Sequence, residues 1–116
     1  MATIAATDAQ GTGAVAVTET TLDGTLDTFT YRGSVNQTLT LRNATAGALT
    51  PTIDGDGAST VSVAGVGSVD ISAGYSTGSI AAGDVVTIKT ETIREYLSGT
   101  IAITGGTGLV ATLLEY

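Results

Sequence analysis

Cysteine and histidine are both missing from this sequence. Without thiols there can be no disulfide and no thiolate metal site, so the redox compartment leaves no mark. Without imidazole the commonest general base and metal ligand is gone. Basic side chains number four (Arg32, Arg42, Lys89, Arg94) against eleven Asp and Glu, a net charge of −7. A basic stripe is the footprint of nucleic-acid binding, so direct binding of DNA or RNA is not expected. The aromatics are Phe29, Tyr31, Tyr75, Tyr96 and Tyr116, too few for a platform that stacks bases or sugars. No run approaches the roughly 18 apolar residues of a membrane helix, and no membrane partner is expected. The opening MATIAATDAQGTG has neither the basic region nor the long apolar stretch of a secretory signal. The sequons at Asn36 and Asn43 then read as incidental, because glycosylation requires secretion.

What is present points to a small β-protein. The 116 residues suit one domain with a single core. Hydrophobic residues make up 42% and charged ones 13%, about half the usual charged share. Mean hydropathy is +0.35. The surface is therefore covered by Thr, Ser, Gly and Ala, which suits a protein that shares part of that surface with neighbours.

The stretch Gly99–Tyr116 has the highest aliphatic density. Its first run, Thr100–Thr104, sets Ile101 and Ile103 on one face; its second, Leu109–Leu114, is apolar on both. Gly105-Gly106-Thr107-Gly108 separates them, so the pair is expected to form the central hairpin of a sheet. The second strand is expected to be covered on both sides or packed in an assembly.

Earlier in the chain, residues 1–13 are small and polar and read as an extended N-terminal arm, held by its own sheet or by a neighbouring chain; with Ile4 the only sizeable apolar residue besides Met1, backbone pairing with a neighbouring chain is the expected anchor. Residues 14–116 read as the domain proper. Strands are expected over Ala14–Thr20 (Val15 and Val17 inward), Thr28–Tyr31 and Val35–Asn43, with a turn at Asp23-Gly24. In Val35–Asn43, Val35, Gln37, Leu39 and Leu41 alternate against Asn36, Thr38, Thr40 and Arg42. Leu49–Asp54 carries the only proline, Pro51, and reads as an edge strand. Asp54–Gly57 turns into Ser59–Val63, then Ser68–Ser72 follows, and Ala73–Gly83 reads as loop around Tyr75 and Ile80. Val85–Thr90 has Val86 and Ile88 inward. Thr92–Leu97 is the one short helix expected, with capping-box spacing at Thr92 and Glu95 and a stop at Gly99. Short strands at intervals of about 8–12 residues indicate an all-β fold: a small β-sandwich, Ig-like or jelly-roll-like, or a partly open barrel. Its core should include Leu39, Leu41, Ile88, Ile101 and Ile103.

Four motifs imitate chemistry without its supporting residues. Gly74-Tyr75-Ser76-Thr77-Gly78 fits G-x-S-x-G, but no histidine can serve the serine. Gly11–Ala16 and Gly106–Ala111 fit G-x-G-x-x-A, yet neither leads into a helix that could meet a pyrophosphate. Asp54 and Asp56 begin like a calcium loop, which Ala58 and Gly65 break. That pair reads as an acidic turn, and a calcium ion shared with a neighbouring chain stays open. The other carboxylates are scattered one per turn or strand end. No catalytic, cofactor-binding or metal residue is assigned, and no enzyme activity or cofactor is expected.

Several phrases carry a family likeness: Thr38–Gly47, Pro51–Gly57, Asp70–Tyr75, Ile80–Asp84 and Tyr96–Gly108. Together they resemble small virion proteins of tailed bacteriophages, most closely the capsid decoration (cement) proteins. The resemblance runs from about Val35 to the end and lies in turn phrases rather than in a ligand motif. It implies a β-rich protein, made in the host cytoplasm, that binds the major capsid protein on the outside of the head. It also implies association with copies of itself, often as trimers at local three-fold positions. The alternatives are a head–tail connector, tail-tube or fibre-associated subunit, or a carbohydrate- or ligand-binding sandwich.

Overall fold

The computed structural model describes residues 3–9, 13–24, 27–57 and 59–116. The fold is all-β and sandwich-like, with two sheets around one apolar core. The first sheet contains β1 (Ala6–Asp8), β2 (Thr20–Thr21), β4 (Gln37–Asn43), β9 (Val85–Lys89) and β11 (Leu109–Glu115). Its order is β1-β11-β4-β9, with β2 beside β1 on the same edge of β11. The second sheet, in the order β3-β10-β5-β8, contains β3 (Asp27–Phe29), β5 (Thr52–Gly55), β8 (Tyr75–Ser76) and β10 (Ile101–Thr104). Among the described residues, β6 (Thr60–Val63) and β7 (Gly67–Asp70) pair only with each other.

Alternation decides which side chains face the core. β4 buries Leu39 and Leu41 and turns Thr40 and Arg42 outward. β9 buries Ile88 and half-buries Val86. β10 contributes Ile101 and Ile103 from the opposite sheet. All five expected core residues are buried. On the outer face Thr112, Thr40 and Thr87 stand in register across three strands.

The Gly99–Tyr116 expectation needs correction. β10 pairs with β3 and β5, and β11 pairs with β1, β2 and β4, so the two runs occupy different sheets. Gly105–Gly108 is thus a corner between the sheets, not a hairpin turn. The runs are still central, one strand in each sheet. Leu109, Ala111 and Leu113 of β11 are buried, while Val110, Thr112 and Leu114 are half-buried on the outer face.

Four other expectations shift. Residues 13–19 form no strand, and Val15 and Val17 are 37% and 46% exposed. β1 and β2 pair with opposite ends of the same edge of β11, and residues 13–19 make no ladder with it. Pro51 precedes β5, which lies inside its sheet between β10 and β8. Standing before the first strand residue, the proline withholds no ladder donor. The expected helix is a 3₁₀ segment, Thr90–Tyr96, kinked at Ile93. Thr92 Oγ1 donates to Lys89 O at 2.6 Å instead of capping an N–H, although Ile93 and Leu97 are buried as the spacing implied. Finally, the described part of the expected arm, Thr3–Ala9, packs within the domain. β1 runs parallel to β11, Ile4 N donates to Thr28 O at 2.8 Å, and Ile4 joins the core at 3% exposure. The described part of the arm is therefore held by its own domain rather than by a neighbouring chain, through the β1–β11 ladder and the burial of Ile4.

Candidate interaction surface

Ser76 lies exposed on β8, and its Oγ accepts from Gly78 N–H at 3.2 Å. Gly11 and Thr12 of the first glycine motif lie outside the described residues; Gly106–Ala111 of the second forms the sheet corner and the start of β11. Asn43 is buried, and its Nδ2 donates to Gly47 O and Ile80 O, both at 2.8 Å, so that sequon is closed to a glycan in this fold.

The charged residues mostly fasten the fold. At one end of the sandwich, Glu115 is buried and accepts from Arg32 Nη1 at 2.7 Å and from Gln37 Nε2 at 2.8 Å. Gln37 Nε2 also donates to Thr30 O, and its Oε1 accepts from Arg32 N–H, both at 3.0 Å. This network ties the last strand to both sheets. Beside it lies a groove of about 340 Å³ lined by residues that include Thr3, Ala6, Thr30 and Arg32. Arg42 meets Glu19 at 3.3 Å on the exposed outer face. Among the described residues, no group of three or more His, Cys, Asp or Glu is placed to hold a metal ion.

The acidic turn behaves as a clasp. Asp56 Oδ1 accepts from Thr100 N–H at 2.8 Å, joining the end of β5 to the approach of β10. Gly55 makes this closeness feasible: a Cβ there would lie 2.3 Å from Ser98 O and 2.6 Å from Tyr96 O. Asp54 differs. Its Oδ1 is buried with no hydrogen-bond partner. It lies in a groove of about 370 Å³ on the outer side of the second sheet, with Thr52, Asp56, Ala73, Thr100, Ala102 and Thr104. Gly74 packs closely against this residue, since a Cβ at Gly74 would lie 2.8 Å from Asp54 Cβ.

From the foot of this groove rises the β6–β7 hairpin, the feature that motif reading did not single out. Its register places Val61 opposite Val69 and Val63 opposite Gly67 on one face, with Thr60, Ser62, Ser68 and Asp70 on the other. Ile71 N–H donates to Ser59 O at 2.9 Å and closes the base. At the tip Val66 N–H donates to Val63 O at 3.0 Å, and Gly65 takes φ = 80°, as position i+2 of a type II turn demands. Val63 is 42% exposed and Val66 is 70% exposed. At the base, the Ser72 hydroxyl and Ser72 amide hydrogen-bond the exposed Asp70 carboxylate and hold it below its ordinary pKa. The valine alternation was visible in the sequence; that no sheet receives it was not.

Comparison with protein-family models, with curated proteins and with solved structures found no match.

Proposed function

We propose that this chain is a non-enzymatic virion protein that decorates the outside of a bacteriophage head and stabilises it by binding the major capsid protein. The observation that carries the reading is the β6–β7 hairpin. A lone two-stranded hairpin is at best marginally stable in water, and this one presents an apolar face that its own domain leaves partly uncovered. Such an element gains by being covered, and a second protein surface is what covers it. The turn phrases that resemble decoration proteins supply the partner. The rest of the molecule fits a bridging role, because a core drawn from two sheets makes a firm body for transmitting load. Association with further copies of the chain belongs to the same reading.

The test is add-back. Heads stripped of this protein should rupture at lower temperature or under osmotic shock, and rebinding the purified chain should restore them. Unchanged head stability across the add-back would overturn the proposal.

A further inference from the structure

The hairpin and the groove at its foot are complementary, and one chain cannot bring them together. Four-residue strands carry the tip, Ala64–Gly67, roughly 13 Å away from the base. The groove opens at that base, between Asp56 before β6 and Ala73 after β7. We infer that the hairpin tip of one copy docks into the Asp54 groove of a second copy. This deepens the self-association within the proposed function and does not depend on shell binding.

Three observations converge on a second copy as the occupant. The first is charge. The chain carries −7 overall and the groove holds Asp54 and Asp56, so an acidic surface approaching it would be repelled. The hairpin from Ser59 to Val69 carries no charge, so this otherwise acidic chain can enter its own acid-lined groove. The second is shape and polarity. The groove is lined by the small side chains of Thr52, Ala73, Ala102 and Thr104, and the tip presents Val66 at 70% exposure. A groove of about 370 Å³ falls in the range that receives a small apolar group. The third is the Asp54 Oδ1, buried without a partner. An unsatisfied buried acceptor is costly, and a backbone N–H at an entering turn is the donor that would satisfy it. Because plug and socket are different surfaces, the contact closes either as a reciprocal two-fold exchange or as a ring.

The experiment is sedimentation of the purified chain over a concentration series, with Val66→Asp as the variant. Val66 is exposed and lies in neither sheet, so the substitution leaves the body folded, which circular dichroism checks. The natural chain should associate, and Val66→Asp should weaken association by about tenfold or more. Site-directed cross-linking fixes the contact, since the chain has no cysteine of its own. Val66→Cys mixed with Ala73→Cys should form a disulfide between copies, while Val66→Cys alone should not. A chain that stays monomeric throughout, or a Val66→Asp variant that associates unchanged, overturns the inference. So does cross-linking of Val66→Cys to itself, which would place tip against tip. If the chain is monomeric but Val66→Asp no longer co-sediments with heads, the tip's occupant is the shell; the inference fails and the decoration reading stands.

Discussion

β10 and β6 look alike as sequence. Ile101-Ala-Ile-Thr and Thr60-Val-Ser-Val each alternate one β-branched apolar residue with one small or polar residue. Yet Ile101 and Ile103 are buried, whereas Val61 is half-buried and Val63 is exposed. Strand propensity is equal in kind; the difference is what stands opposite. β10 has β3 on one side, β5 on the other and the first sheet across the core. β6 has only β7. Amphipathic alternation states that a strand has an apolar face, and tertiary context decides whether its own chain covers it.

Truncating one side chain in each region tests this difference. Ile103→Ala should cost about 2–5 kcal/mol, because a fully buried site surrounded by both sheets leaves a cavity. Val66→Ala should stay within about 0.5 kcal/mol, since an exposed side chain loses little on removal. Urea unfolding of the dilute chain measures both. Equal losses would mean that the hairpin is part of the cooperative core and that the two regions do not differ.

The comparison also explains what the sequence could disclose. The core faces of β4, β9 and β10 were legible because Leu39, Leu41, Ile88, Ile101 and Ile103 sit in clean period-2 patterns, and a one-residue slip would expose all of them. The partners of those strands were not. A Gly-rich break such as Gly105–Gly108 serves a hairpin and a sheet-to-sheet corner equally well, so β10 and β11 read as neighbours. The anchoring of residues 1–13 was not legible: with Ile4 the only sizeable apolar residue besides Met1, the segment read as too poor in large side chains to be held by its own core, yet Ile4 is buried in that core. Val15 and Val17 alternate convincingly and still lie exposed, because the edge of β11 that they would need is divided between β1 and β2. In the candidate site, Gly74 packs against Asp54, a contact across twenty residues that no local pattern encodes.

A smaller effect is expected where polar rather than apolar contacts hold an end of the body. Glu115→Ala removes the acceptor of both Arg32 and Gln37. Arg32 is half exposed and can turn to water, so its share is small. Gln37 is buried but keeps its bond to Thr30 O. The expected loss is about 1–2 kcal/mol, below that of Ile103→Ala. Chemical denaturation reads it, and a loss as large as the cavity variant's would mean that this network, not the core, dominates the fold.

The smallest expected effect lies at the foot of the hairpin and is read by pH. The Ser72 hydroxyl and amide bond the Asp70 carboxylate and favour its charged form, so its pKa in the folded chain is depressed. A depressed carboxylate contributes stability that is fully present above its ordinary, unfolded pKa. That contribution is lost as pH falls through the lower, folded value. The loss is confined to the turn after β7, because Asp70 is exposed and its bonds reach only Ser72. In an NMR titration the Ser72 amide shift should therefore follow the Asp70 carboxyl, below the ordinary carboxylate range, while the amides of Leu39 and Ile103 do not respond. Ser72→Ala removes the hydroxyl but keeps the amide, and should move the Asp70 midpoint part of the way back up. An unchanged midpoint would show that the hydroxyl does not hold the charge. A response spreading to Leu39 or Ile103 would show that hairpin and body open together.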